Sequence, residues 1–185
     1  MGDCIISMSG KPRNRVTWIF RNDSGYTTCL VASLDDRFKA AVPVYGCGFL
    51  YEGESVQKPQ IDRLGNRAFL WGAAYYPGSH LGKCTVPILW VNGTHDRHYV
   101  LDSYSKSYGR VKGPRTIRIQ HQKRYGHIPG WEPMEIQVFI DSILRGGGLD
   151  QMCDLCLDCE VVPRAVGFFV NGARLRSSGN TFECL

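Results

Sequence analysis

The segment TVPILWVNG, residues 85–93, most constrains what this chain can fold into. Apart from one proline, its residues from Val86 to Val91 are apolar without alternation, and Asn92-Gly93 ends the run. A strand with one face in water alternates apolar and polar side chains, whereas an unbroken run is typical of a strand covered on both faces. The segment therefore predicts a strand of a parallel sheet.

Strands and helices alternate along the first 147 residues. Three further apolar segments predict strands: 15–20, 39–46 and 115–120. Helical spacing of apolar residues is found in three segments between or after the strands: 26–34, 100–111 and 133–145. This order predicts βαβ units and hence an α/β fold with a parallel sheet. Residues 49–80 predict an irregular excursion with one helix near 66–76.

Composition and charge argue against several classes of protein. The formal net charge of +5 is mild, and its densest run, residues 115–124, is interpreted as a solvated strand and loop because no stacking motif accompanies it. We therefore expect no nucleic-acid partner. No apolar run approaches the ~20 residues that span a bilayer, and the N-terminus lacks a signal-peptide pattern. These features predict a cytoplasmic protein without a membrane partner.

Polar loops follow three of the predicted strands. The first contains Asn22, Asp23 and Ser24, the second contains Asp96, and the third contains His127. In a parallel sheet such loops meet at the carboxyl edge, where reactive groups gather. Serine, aspartate and histidine follow one another here in the chain order of the α/β-hydrolase triad.

The chemistry explains why these residue types are needed together. A serine hydroxyl becomes a good nucleophile when an imidazole takes its proton, and the imidazole needs a carboxylate to fix its tautomer and stabilise its charge. In this interpretation Asp96 orients His127, His127 acts as base and then acid, and Ser24 is the candidate nucleophile. Two alternatives stay open: Asp96 caps a helix that starts near Tyr99, and His127 has a structural role.

Three stretches carry a resemblance to a known family. They are LDDRFKAAVPVYGCGFL (34–50), Asn-Gly-Thr-x-Asp (92–96) and Gly-His-x-Pro-Gly-Trp (126–131). From about residue 15 to residue 147 the chain resembles the C-terminal half of bacterial α/β-hydrolases related to acetyl xylan esterases and prolyl-oligopeptidase-like hydrolases. The resemblance implies that Asp96 is the triad acid, that His127 is the triad base, and that the substrate is a small-molecule ester.

The nucleophile elbow departs from the family pattern Gly-x-Ser-x-Gly-Gly-Tyr. Aligned without gaps, Asn22 stands at the serine position, Phe20 at the first glycine and Ser24 at the middle glycine. Only Gly25 and Tyr26 agree. An elbow needs small residues, and an amide cannot attack an ester. Ser24 serves as nucleophile only if the turn is two residues shorter than in the family.

The family has several strands before the elbow, whereas about fourteen residues precede the strand at 15–20 here. The resemblance thus implies an α/β-hydrolase-like core that lacks the N-terminal strands and one oxyanion donor. It also implies an open sheet edge, through which copies of the chain would associate into a homo-oligomer. Two functions follow. One is a serine-type carboxylic ester hydrolase for an acylated small molecule or carbohydrate; the other is an inactive hydrolase remnant that binds a ligand or partner.

Two groups of side chains raise the question of a metal. Residues 148–185 form a Cys-rich tail outside the resemblance, and Cys153, Cys156 and Cys159 have a spacing typical of metal or iron–sulfur ligation, with Cys184 as the nearby fourth thiol. Near the candidate acid, His95 and His98 flank Asp96. The sequence favours structural thiols and a polar loop over metal sites, so no metal or cofactor is expected. The predicted domains are residues 1–147 and the tail.

Overall fold

A computed structural model describes residues 4–8, 15–19, 24–123, 125–126, 130, 132–144, 165–170, 173–178 and 181–184. The strands are β1 (Cys4–Met8), β2 (Arg15–Ile19), β3 (Phe38–Pro43), β4 (Ile88–Gly93), β5 (Arg115–Gln120), β6 (Ala165–Val170), β7 (Ala173–Ser178) and β8 (Thr181–Cys184). The helices are α1 (Ser24–Leu34), α2 (Lys58–Asp62), α3 (Arg67–Tyr75), α4 (Pro77–His80), α5 (Leu101–Arg110) and α6 (Met134–Leu144), with a 3₁₀ turn at Leu81–Lys83.

The four predicted strands form a parallel unit, β2-β3-β4-β5, within one sheet. All residues of β4 are buried, as its unbroken apolar sequence predicts. The helices expected between and after these strands are present as α1, α5 and α6. The α/β fold with a parallel core is therefore confirmed.

Helix α5 is anchored on β4 by two fully buried aromatic residues, Trp90 and Tyr104. Their rings meet edge to face at 5.4 Å, and the Tyr104 hydroxyl donates to the Val91 carbonyl at 2.9 Å. Burial of a large apolar side chain contributes about 1.5–3 kcal/mol, so this contact fixes the helix firmly. The loop between β4 and α5, which contains Asp96, is consequently held at both ends.

One expectation about the sheet edge is wrong. Strand β1 pairs antiparallel with β2, so the open edge predicted at the strand 15–20 is occupied by a neighbour. No strand was predicted at residues 4–8. Association through a sheet edge stays a prediction.

The tail contributes three strands to the same sheet. Strand β6 pairs antiparallel with β5, and β7 and β8 follow as antiparallel neighbours. Cys153, Cys156 and Cys159 lie outside the described residues.

The excursion between β3 and β4 carries α2, α3 and α4. The Ser55 hydroxyl donates to the His98 carbonyl at 2.6 Å, and the Val56 amide donates to the Arg97 carbonyl at 3.1 Å. These bonds place the excursion beside the loop that follows β4. Across the ranges that the structure describes, no helix is both long and apolar enough to cross a bilayer.

Candidate active site

The carboxyl ends of β2, β3, β4 and β5 lie at one edge of the sheet. Ile19 pairs with Pro43, and Gly93 pairs with Gln120, so neighbouring strands end together. Ser24 begins α1 just beyond β2, and Asp96 lies three residues beyond β4. Phe20, Asn22 and Asp23 are outside the described residues, as is His127.

Helix α1 is seated directly against the segment that follows β3. A Cβ atom added to Gly25 would overlap the backbone of Val44 and Gly46, and one added to Gly46 would overlap Gly25 and Tyr26. Only glycine permits this approach of two backbones. The packing explains why Gly25 agrees with the family pattern, and it places Ser24 at the carboxyl edge of the sheet.

Asp96 is a buried carboxylate whose two oxygens have different surroundings. Its Oδ1 accepts hydrogen bonds from the backbone amides of His98 at 2.8 Å and Tyr99 at 3.1 Å. Its Oδ2 is buried and has no hydrogen-bond partner among the described residues. Burial raises the pKa of Asp96, although the two amide bonds and nearby His98 oppose that shift. One oxygen is therefore fixed by the loop, and the other is available to accept an N–H.

The helix-capping alternative for Asp96 is wrong. Helix α5 begins at Leu101, and its N-cap is Val100. The amides that Asp96 accepts belong to His98 and Tyr99, which precede the helix. The Oδ1 bonds therefore order the loop and do not cap α5.

Asn92 closes the acid loop, which we define as residues 94–99. Its amide Nδ2 donates to the Tyr99 carbonyl at 2.7 Å, and its Oδ1 accepts from the Gly93 amide at 2.7 Å. The side chain is fully buried, so these bonds replace those it would make with water. The asparagine of the Asn-Gly-Thr-x-Asp motif thus ties the far end of the loop back to β4.

Gly93 and Thr94 join the acid loop to the loop that follows β5. A Cβ atom on Gly93 would lie 2.6 Å from both the Cβ and the carbonyl oxygen of Lys123. The Gln122 amide donates to Thr94 Oγ1 at 3.0 Å, and the Thr94 amide donates to the Gln120 carbonyl at 3.0 Å. The glycine and threonine of the motif therefore bring together the two loops that contain Asp96 and His127 in the sequence.

Residues on both sides of His127 are described. The Tyr125 ring lies 5.4 Å from the His98 ring and 4.9 Å from the Tyr45 ring. The Gly130 amide donates to the Gly126 carbonyl at 3.1 Å. The chain immediately before His127 is thus in contact with the acid loop, while pairing of His127 with Asp96 stays a prediction.

The histidines beside Asp96 make local polar contacts. Nδ1 of His95 lies 2.9 Å from Thr94 Oγ1, and its ring lies 6.1 Å from that of His121. Within the described ranges, no cluster of three histidine, cysteine or acidic side chains is arranged to hold a metal ion.

Solved structures share the fold of this chain. An acetyl xylan esterase from Paenibacillus sp. R4 superposes with a TM-score of 0.55 at 19% identity, over 66% of this chain and 43% of that chain. The fold is that of the α/β-hydrolases. A Mycobacterium tuberculosis puromycin-hydrolyzing peptidase (TM-score 0.54, 18% identity) and a Pyrococcus horikoshii acylaminoacyl peptidase (TM-score 0.52, 19% identity) are also similar.

The match to these α/β-hydrolases is partial. It covers 68% and 70% of this chain for the two peptidases, but 21% and 25% of theirs. The chain therefore spans less than half the length of the structures it resembles. Neither a family model nor a curated protein matches the sequence.

The sheet and α6 share a buried polar cluster that the sequence did not predict. Arg118 Nε donates to Glu135 at 2.7 Å, and Gln120 Oε1 accepts from Arg118 at 2.8 Å and from Lys123 at 3.3 Å. Arg118 and Lys123 are 5% and 4% exposed, so the solvated strand and loop predicted for residues 115–124 are wrong at these positions. Burial and the charge of Arg118 lower the pKa of Lys123 to about 8, against Glu132 and Glu135.

An aromatic cavity of about 670 Å³ lies in the excursion, between α2 and α3. Its wall includes four aromatic side chains and one carboxylate: Tyr51, Phe69, Trp71, Tyr76 and Asp62. Tyr26 of α1 contacts two of these rings, with centroids 6.3 Å from Trp71 and 6.3 Å from Tyr76. The cavity is therefore joined to the first turn of α1, two residues after Ser24.

Proposed function

We propose that this chain is a serine-type carboxylic ester hydrolase that acts on an acylated small molecule or carbohydrate. The observation that carries the proposal is the state of Asp96. A buried carboxylate with one oxygen fixed by amides and the other available is suited to hold an imidazolium in a triad. The similarity to solved hydrolases supports the fold on which this chemistry would operate.

In the proposed mechanism Asp96 Oδ2 accepts the N–H of the His127 imidazole. The other imidazole nitrogen removes the proton from the Ser24 hydroxyl as its oxygen attacks the ester carbonyl. The resulting imidazolium then protonates the departing alcohol, leaving an acyl-serine. Water, deprotonated by the same imidazole, then attacks the acyl carbonyl. The imidazolium returns that proton to Ser24 Oγ as the acyl–oxygen bond breaks and the acid leaves. The proposal requires no metal or cofactor.

The start of α1 supports Ser24 as the nucleophile. Ser24 is the first residue of the helix, and the first amides of a helix have no intrahelical acceptor. The backbone N–H after the nucleophile is the usual oxyanion donor in this fold, which assigns that role to Gly25. The positive end of the helix dipole further favours a negative oxygen at this position.

The aromatic cavity supports an ester with an apolar part. Its volume of about 670 Å³ lies within the range of small-molecule sites, and aromatic rings form much of its wall. Tyr26 links that wall to the start of α1. Of the two substrate classes in the proposal, an apolar acylated small molecule therefore fits the cavity better than a carbohydrate.

Turnover of short-chain p-nitrophenyl esters tests the proposal. We expect Ser24→Ala, Asp96→Asn and His127→Ala each to lower kcat by roughly 10³-fold or more, since triad members act as a unit. His121→Ala is the matched control, because His121 is an exposed histidine of the same loop. Activity that survives His127→Ala would overturn the mechanism.

A second candidate function is an inactive hydrolase remnant that binds a ligand or partner. It is favoured by Asn22, which stands at the family's serine position. A fluorophosphonate probe separates the two candidates. Labelling that disappears in Ser24→Ala supports the hydrolase, and a folded protein that takes no label supports the remnant.

A further inference from the structure

We infer that Tyr45 is a positioning residue that holds the loop preceding α6 against the acid loop. The inference rests on the proposed function, because its consequence is the placement of the base relative to the acid. Tyr45 follows β3, the strand whose loop supplies no member of the proposed triad. Its side chain nevertheless contacts the loop that follows β5, and its amide donates to strand β4.

The backbone at Tyr45 has a conformation that a bulky residue rarely adopts. Its φ is +61°, in the left-handed region. The strand direction is imposed immediately before it, since Val44 bridges Val91 and the Tyr45 amide donates to the Val91 carbonyl at 3.0 Å. Gly46 follows and packs on Gly25. Tyr45 therefore makes its turn between two fixed points, as strained residues at functional sites do.

The Tyr45 side chain packs on the loop preceding α6, and that loop in turn contacts the acid loop. Its ring lies 4.9 Å from the Tyr125 ring, which in turn lies 5.4 Å from the His98 ring. Its hydroxyl oxygen is hydrogen-bonded with the backbone of Gly126, the residue bonded to His127. The His98 amide is one of the two that fix Asp96 Oδ1. The contacts thus run from Asp96 to the residue that precedes the proposed base.

The charge state of Tyr45 is compatible with this role. Burial raises the pKa of its phenol, and the negative charges of Asp96 and Glu132 raise it further, against the hydrogen bond with Gly126. The phenol therefore stays neutral at pH 7. It adds no negative charge that would compete with Asp96 for the imidazolium.

Tyr45→Phe is the test variant, because it keeps the ring and removes only the hydroxyl. Tyr104→Phe is the matched control. Tyr104 is also buried, and its hydroxyl donates to the carbonyls of Val91 and Pro43, away from Gly126. If a hydroxyl has only a structural role, its removal should lower stability and leave the His127 pKa unchanged.

The measurement is the imidazole pKa of His127, followed by NMR of its ring C–H signals, assigned among the five histidines with His127→Ala. In the unmodified chain we expect this pKa to be above the ordinary value of about 6.5, because a carboxylate partner stabilises the imidazolium. Asp96→Asn should return it to the ordinary value. Tyr45→Phe should lower it part of the way, and Tyr104→Phe should leave it unchanged.

The outcomes separate this inference from the proposed function. If Asp96→Asn lowers the His127 pKa and Tyr45→Phe does not, Tyr45 has no positioning role and the triad still stands. If Asp96→Asn leaves the pKa unchanged, the triad itself fails. For ester turnover we expect Tyr45→Phe to lower kcat about tenfold, the value of one net hydrogen bond, with KM nearly unchanged.

Discussion

The side-chain amide of Asn92 donates to the backbone carbonyl of Tyr99 at 2.7 Å, and this bond closes the loop that carries Asp96. Because Asn92 lies on the fully buried strand β4, its bond attaches the far end of the loop to the centre of the sheet. The amides of His98 and Tyr99 then stand where Asp96 Oδ1 accepts both. Closure of the loop and fixation of the carboxylate are therefore one structural device.

We expect Asn92→Ala to destabilise the protein by about 1–3 kcal/mol, because it leaves a buried carbonyl and a buried amide without their side-chain partner. Urea unfolding followed by circular dichroism measures this loss. Asn66→Ala is the control: Asn66 precedes α3, is exposed and makes no side-chain capping bond. Equal unfolding midpoints for the two variants would show that Asn92 does not close the loop.

Asp96→Asn should lower activity and raise stability, and the gain in stability should depend on pH. Burial raises the pKa of Asp96 in the folded state, so folded protein binds the proton more tightly than unfolded protein. By linkage the stability of the unmodified chain falls as pH rises through the unfolded and then the folded pKa. The variant lacks this ionisation. The variant should therefore be more stable relative to the unmodified chain at pH 7 than at pH 3.

Urea unfolding at the two pH values measures that difference. Asp36→Asn provides the comparison, since Asp36 is an exposed carboxylate distant in sequence from the acid loop. A relative stability of Asp96→Asn that is the same at pH 3 and pH 7 would contradict the burial-driven shift.

The parallel core was predictable because the apolar residues of its strands indicate that the strands are buried. Strand β4 is apolar on both faces, and no other regular element suits such a segment so well once Asn92-Gly93 ends it. Asp96 was found from its motif and its place after that strand. The structure adds the reason for the motif: Asn92, Gly93 and Thr94 each hold a neighbouring piece of backbone.

Other features depend on tertiary contacts that no local pattern encodes. Tyr45 gives no sign in the sequence of a positive φ, because bulky residues adopt it only where packing imposes it. Arg118 and Lys123 were predicted as solvated charges, because no local pattern shows that Glu135 of α6 accepts from Arg118 and Gln120 accepts from Lys123. Strand β1 was not predicted, and its place in the sheet is seen only from its pairing with β2.

Lys123 predicts a second pH dependence, of opposite sign to that of Asp96. Burial lowers the pKa of Lys123 from 10.5 to about 8. Between these values the unfolded chain binds more protons, so this group makes the protein more stable as pH rises and less stable as pH falls through about 8. The full shift corresponds to roughly 3 kcal/mol. Lys123→Met should remove most of this dependence.

Unfolding free energies at pH 7 and pH 10 for Lys123→Met and the unmodified chain measure the difference. Lys112→Met is the matched control, because Lys112 is an exposed lysine on the turn before β5. If Lys123→Met is no more stabilising at pH 7 than at pH 10, Lys123 is solvated and does not belong to the buried cluster.

The aromatic cavity offers a binding prediction that does not depend on catalysis. A Cβ atom on Gly72 meets no atom within 4 Å, and Gly72 lines the cavity, so a leucine side chain there would fill its space. We expect Gly72→Leu to weaken binding of 1-naphthol, measured by calorimetry, at least tenfold. Gly109→Leu is the control, since Gly109 is a helical glycine with equally open surroundings outside the cavity. Leucine favours a helix over glycine, so neither variant should lose stability. Equal naphthol affinity in both variants would show that the cavity does not take an aromatic group.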